Sequence, residues 1–174
     1  MRTLNLGCGS RKIPGAVNVD IEKTLSPDIV ADFTEKLPFP DADFDEVYLF
    51  HTIEHVQKKF HEGIFREVRR VLQEGGIFYL SYPEFSVIAK NWLENKQGNR
   101  EFWEHTIYGR QLYPNDYHLC AMDTNEVRLK LEMCGFKDIA YRPEPHEYNT
   151  ILKATACELP DNIEKLIYDE VIMK

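Results

Sequence analysis

Short runs rich in β-branched and aromatic residues alternate with helical stretches along this chain, which predicts an α/β fold: a mostly parallel sheet with helices packed against it. The runs are Thr3–Leu6, Val17–Val19, Ile29–Ala31, Glu46–Phe50 and Ile77–Ser81, with two more strands predicted near Ile139–Arg142 and Asn149–Ala156. Between the fourth and fifth runs, residues 58–72 place Phe60, Ile64, Val68, Val71 and Leu72 at helical spacing. Gly75-Gly76 reads as the stop that ends this helix and turns the chain into the fifth strand. A second helix is expected over 124–134, with Asp123 and Glu126 as a capping pair and Gly135 at its end. The tail from Asp161 to Lys174 has the pattern of a last amphipathic helix. No internal repeat, low-complexity stretch or linker divides the chain, so residues 1–174 are expected to form one domain.

Charge narrows the partners. The formal charge is −8, which disfavours a phosphate backbone as ligand. The one basic cluster, Lys58-Lys59 with Arg66, Arg69 and Arg70, lies on a helix whose other face is apolar and reads as a solvated face. No apolar run approaches the ~18–20 residues of a membrane span, and the chain opens directly into a strand, so neither anchor nor signal peptide is expected. The four cysteines, at 8, 120, 134 and 157, show no paired spacing and read as reduced thiols of a cytoplasmic protein.

The first strand breaks into Gly7-Cys8-Gly9, where glycine permits positive φ and lets a ligand approach without a Cβ in the way. A dinucleotide fingerprint requires a third glycine at position 12; Lys12 is there, which argues against NAD. The second strand ends in Asp20, followed by Ile21, and an acid there can accept bonds from both hydroxyls of a ribose. The third ends Ala31-Asp32-Phe33, a carboxylate beside an aromatic ring, which suits an adenine. Three such ends in succession mark the edge at which open α/β sheets bind ligands.

Taken in order, Leu4-Asn5-Leu6-Gly7-Cys8-Gly9, Val17-Asn18-Val19-Asp20 and Leu37-Pro38-Phe39-Pro40-Asp41-Ala42-Asp43-Phe44-Asp45 resemble the class I S-adenosylmethionine-dependent methyltransferases, and in particular a type 11-like subset with a shortened first helix. Glu67-Val68-Arg69-Arg70-Val71-Leu72 with Gly75-Gly76 is similar to that family's helix and glycine turn before strand five. The likeness covers residues 3–83 and, more loosely, 118–157. It implies a Rossmann-like three-layer sandwich with a seven-stranded sheet, the last strand antiparallel. It also implies S-adenosylmethionine as cofactor, with Asn5, Leu6, Gly7, Cys8 and Gly9 along its methionine part. Asp20 and Ile21 would flank the ribose, Asp32 and Phe33 the adenine, and Phe50 and His51 would close over the sulfonium.

Two departures from the family stand out. Only residues 10–16 separate Gly9 from Val17, and they include Pro14 and Gly15. A crossover with its helix needs about ten to twelve residues or more, so the first helix is expected to be reduced or missing. Arg11 or Lys12 is then expected to replace its N-terminal amides in holding the cofactor's carboxylate. The second departure is Asn5, where many relatives carry an acid; a neutral amide can still accept from the cofactor's ammonium, with less charge stabilisation.

His51-Thr52-Ile53-Glu54-His55 matches the H-x-x-E-H pattern of some zinc peptidases. Such a site needs one helix through both histidines. His51 directly follows a strand instead, so the segment reads as the loop after strand four and no metal is assigned. Methyl transfer mainly requires that the acceptor be held in line, with a base where the acceptor is a hydroxyl. His51 is the leading catalytic candidate, balanced against a purely packing role; Glu54 and His55 read as a solvated loop end or a helix cap.

Residues 82–120 form an expected acceptor-side insertion rich in aromatics: Tyr82, Phe85, Trp92, Phe102, Trp103, Tyr108, Tyr113 and Tyr117. Most are assigned to packing, and His118 is the second catalytic candidate. The function expected is methyl transfer to a small-molecule or saccharide-type acceptor. The alternative is a non-catalytic cofactor-binding or regulatory module of the same fold.

Overall fold

The computed structural model describes residues 1–112, 115–143 and 148–158. Seven strands form one sheet in the order β3-β2-β1-β4-β5-β7-β6: β1 (Thr3–Leu6), β2 (Val17–Asp20), β3 (Ile29–Val30), β4 (Phe44–Phe50), β5 (Leu72–Pro83), β6 (Phe136–Pro143) and β7 (Asn149–Ala156). The first five run parallel, while β7 is antiparallel to both β5 and β6. This is the Rossmann-like mixed sheet with its last strand reversed that the sequence predicts. The central strands are apolar because helices and loops cover them, and Leu4, Leu6, Val47, Leu49, Phe78 and Leu80 are fully or almost fully buried.

Four α-helices are described: α1 (His61–Val71), α2 (Phe85–Leu93), α3 (Arg100–Tyr108) and α4 (Thr124–Met133). Helix α1 turns Ile64, Phe65, Val68 and Val71 into the core. Its opposite face carries ion pairs, Arg66 with Glu62, Arg69 with Glu74, and Arg70 with Glu67 and Asp41, so the three arginines of the basic cluster are paired within the chain. Asp123 caps α4 by accepting from the amides of Asn125 and Glu126.

Several local expectations need correction. The first crossover has no helix, as expected, but the loss goes further: among the described residues no α-helix joins β2 to β3 or β3 to β4 either. The 31–43 segment instead drops Phe33, Leu37 and Phe39 into the core. Helix α1 ends at Val71 without a glycine stop, and Leu72 already pairs with Phe44. Gly75 (φ +77°) and Gly76 lie inside β5, where the pairing jumps from Leu72 to Ile77 and the glycines form the bulge. Phe60 belongs to a short 3-10 turn and is exposed beneath Lys59. Glu126 does not reciprocate the cap; it pairs with Lys58 and Lys130. The predicted helix over residues 161–174, and Tyr113, lie outside the described residues. No described helix is long and apolar enough to cross a membrane.

Candidate active site

Strand β1 lies between β2 and β4, so the chain leaves it toward one edge of the sheet and later returns on the other side. Ligands of open α/β sheets bind at such a switch point, beyond the carboxyl ends of the strands. Register brings the relevant residues together there: Leu6 is level with Val19 and with Leu49, and Phe50 with Ser81. Gly7, Asp20 and the Phe50–Thr52 corner therefore emerge side by side.

The two glycines answer different demands. Gly7 has φ +61°, and a Cβ there would sit 2.3 Å from Cγ2 of Thr52. Gly9 has φ +51° with nothing within 4 Å of the corresponding position, so its open side is where a ligand can approach. The Asp20 carboxylate is buried and ties this loop down: one oxygen accepts from the Gly9 amide at 2.8 Å and the other from the Glu22 amide at 2.8 Å. Each oxygen keeps a second lone pair, so hydroxyl recognition stays available to it. Ile21 and Phe50 flank the loop as exposed apolar side chains, unusual beside so polar a corner.

The loop that replaces the first helix is held by amides. Nδ2 of Asn5 donates to Oδ1 of Asn18 at 2.9 Å and to the Arg11 carbonyl at 3.2 Å. Asn18 in turn accepts from the Ile13 amide and donates to the carbonyls of Ile13 and Ala16 and to Asp28. Asn5 is thus buried in the scaffold of the loop, its amino group spent on the protein itself. Lys12 is drawn to the Ser26 carbonyl, whereas the exposed Arg11 guanidinium has no hydrogen-bond partner among the described residues. The Cys8 side chain is buried behind the loop, and burial, aided by Asp20, raises its thiol pKa. Asp32 is exposed and accepts from the Thr34 amide and hydroxyl, while Phe33 is mostly enclosed in the core.

His51 has φ +48°, a conformation few side chains adopt, and its amide donates to the Ser81 carbonyl at 3.0 Å. Its Nδ1 lies 3.7 Å from Oε1 of Glu54. Thr52, which the sequence reading passed over, donates to the carbonyls of Phe50 and Gly7 and locks this corner onto the glycine loop. Residues 53–55 form one 3-10 turn, so His51 and His55 do not share a helical face.

The reading of Glu54 as a solvated loop end is overturned, because its side chain is only 2% exposed. The segment 117–120 closes over it: the Leu119 amide donates to the Glu54 carbonyl at 2.8 Å, and Nδ1 of His55 meets the Tyr117 carbonyl at 3.0 Å. His118 stands beside His55, ring centroids 4.9 Å apart. Burial pushes the His118 imidazole below the usual histidine range, against the opposing pull of Glu54. Next to this cluster, past the ends of β4 and β5, lies a cavity of about 180 Å³. Glu54 and His118 form its polar wall, and Phe85, Ile88, Tyr108 and Met122 are among its apolar lining. Of the aromatics in this segment, Tyr82 and Trp103 are buried, whereas Phe85, Phe102, Tyr108 and Tyr117 are exposed more than packing alone predicts.

Residues 4–80 match the profile of the Methyltransferase domain family. This match spans 77 of the 174 residues, the N-terminal part of the sheet with its glycine loop. Forty-three residues are 49% identical to sterol 24-C-methyltransferase ERG6B of Gibberella zeae, a segment covering 25% of this chain and 11% of that enzyme. In structure, the chain resembles an S-adenosylmethionine-dependent methyltransferase of Methanosarcina mazei (TM-score 0.63, 18% identity, covering 90% of this chain and 92% of that one). A second such enzyme, from Archaeoglobus fulgidus, aligns with TM-score 0.65 at 14% identity over 88% of this chain and 85% of its own. At these identities the neighbours establish the fold. The residues present here suit S-adenosylmethionine: an unobstructed approach at Gly9, the Asp20 carboxylate, and exposed apolar side chains at Ile21 and Phe50.

Proposed function

We propose that this protein is a methyltransferase that transfers the methyl group of S-adenosylmethionine to a hydroxyl of a small-molecule or single-saccharide acceptor. The cavity beyond β4 and β5 carries this reading. At about 180 Å³ it is smaller than the ~300–1,000 Å³ typical of sites for drug-sized ligands, which suits one small ring.

Bound S-adenosylmethionine supplies an electrophilic methyl group with a neutral leaving thioether. The chain's own residues bind, orient and handle one proton. Asp20, with Ile21 beside it, would accept from the ribose hydroxyls, Phe33 and Asp32 would border the adenine, and the Gly7–Gly9 backbone would follow the methionine part. Arg11 takes the carboxylate that a first-helix N-terminus holds elsewhere. His51, set beside the glycine loop by Thr52, receives the acceptor's proton, while His118 lines the acceptor wall.

Calorimetric titration with S-adenosylmethionine and S-adenosylhomocysteine tests the cofactor site; Asp20→Ala should weaken both at least about tenfold, since two charge-assisted bonds are lost. Release of S-adenosylhomocysteine across a panel of monosaccharides and small alcohols tests transfer, and His51→Asn should lower kcat by about 10²–10⁴. Absence of binding by either ligand overturns the proposal. Binding without turnover on any acceptor favours the non-catalytic module.

A further inference from the structure

The H-x-x-E-H spacing points to a histidine pair, but the fold assembles a different set. Ligand atoms of Glu54, His55 and His118 all lie within 4.8 Å of one another. Two imidazoles and a carboxylate are the donor set that holds zinc and related divalent metals at open sites.

Three independent features favour a cation there. Oε2 of Glu54 is buried and has no hydrogen-bond partner among the described residues. A buried carboxylate oxygen left so is costly unless a positive charge meets it. Nδ1 of His55 faces the Tyr117 carbonyl at 3.0 Å, and a carbonyl only accepts. That nitrogen therefore carries the proton, which leaves the Nε2 lone pair of the neutral ring for a ligand. A metal-binding histidine almost always gives its second N–H to a carbonyl or carboxylate, which sets the tautomer and ring orientation. The third feature is rigidity: the backbone bond from Leu119 to Glu54 fixes the 117–120 segment against the 53–55 turn, so the three side chains are preorganised.

We infer that Glu54, His55 and His118 form a binding site for one divalent transition metal, of the zinc, cobalt or manganese type, on the wall of the acceptor cavity. Glu54 and His118 both line that cavity, so the remaining coordination positions face it. An acceptor hydroxyl or a water takes those positions, and coordination lowers its pKa and points its oxygen. The metal site stands on the geometry of three side chains; its role toward an acceptor rests on the methyl-transfer reading.

The test uses the full chain, stripped with chelator and titrated with Co²⁺. The expected result is one equivalent bound with visible d–d absorption of a low-coordinate site, displaced stoichiometrically by Zn²⁺. His118→Ala and Glu54→Gln should each weaken Co²⁺ at least about tenfold, the typical loss when a ligand or its support is removed. Because Gln keeps the shape of Glu but removes the buried charge, Glu54→Gln should also raise the thermal midpoint of the metal-free protein and abolish its rise on adding Zn²⁺. Failure of the wild-type chain to bind Co²⁺ or Zn²⁺, or equal binding by all variants, overturns the inference. S-adenosylmethionine titration of the same metal-free samples separates the outcomes: intact cofactor binding with no metal uptake refutes the metal site alone.

Discussion

Asn5 and Asn18 are Cα partners on adjacent parallel strands, and their side chains meet head to head, Nδ2 of Asn5 on Oδ1 of Asn18 at 2.9 Å. Through this contact the strand that ends in the glycine loop is braced against the strand that ends in Asp20. Both residues are buried, and Asn18 distributes its remaining bonds over Ile13, Ala16 and Asp28. The amide at position 5, a departure from the acid of many relatives, follows from this arrangement. The helixless loop has to be tied from below, and both partners offered to Asn5, a carbonyl and an amide oxygen, are acceptors.

Restoring the acid should therefore do harm. In Asn5→Asp a carboxylate faces the Asn18 and Arg11 oxygens with nothing to donate, and the variant should lose about 1–3 kcal/mol, the cost of buried polar groups left unpaired. Asn18→Ala, which orphans the Ile13 amide and leaves the Asn5 amino group only its longer bond to the Arg11 carbonyl, should lose at least as much. Urea unfolding midpoints measure both; an unchanged midpoint in Asn5→Asp would show that the brace carries no weight.

Gly7 and Gly9 should respond unequally to alanine. Each needs positive φ, a cost of about 1–2 kcal/mol for an ordinary residue, but only Gly7 meets an obstacle, the Thr52 methyl at 2.3 Å. Gly7→Ala should lower the thermal midpoint well beyond Gly9→Ala, and adding Thr52→Ala should recover part of the difference. Equal loss in both single variants would contradict the packing described. Gly9→Ala should fold and still bind cofactor poorly, because its Cβ enters the open side of the loop.

Glu67 links α1 to the loop before β4, accepting from Arg70 and from the Leu37 amide. Burial raises its pKa, but the Arg70 and Leu37 bonds outweigh that, and the net shift is below the ordinary value of 4.5. A group whose pKa is depressed on folding adds stability above its unfolded value and loses it as pH falls through the folded value. The stability advantage of wild type over Glu67→Gln should thus be complete above about pH 5 and decline steadily below about 4.5. Chemical denaturation at a series of pH values checks this, and an advantage that grows on acidification would reverse the assignment.

Much of the fold is legible in the chain because its causes are local. Alternation of β-rich and helical periods, the break at Gly7-Cys8-Gly9 and the acids closing two strands depend on each residue's own backbone preferences and near neighbours. The missing first helix is legible too, since residues 10–16 are too few to contain it. Other features were misjudged where tertiary contact overrode local preference. Gly75-Gly76 resembles a helix stop, yet α1 ends at Val71 once Leu72 finds Phe44 as its strand partner.

Sequence by itself determined the class of sheet and which residues stand at the carboxyl ends of its first strands. Tertiary structure alone decided which distant side chains meet: Thr52 against Gly7, Asn18 beneath Asn5, and His118 beside Glu54 and His55. Separation along a chain sets no distance in space, so these contacts exist only once strands in register and the 117–120 segment bring them within reach. Burial is likewise a property of the assembled molecule. The same glutamate that would be an ordinary solvated acid on a loop becomes, 2% exposed, a buried acid with His51 near one oxygen and the other left without a hydrogen bond among the described residues.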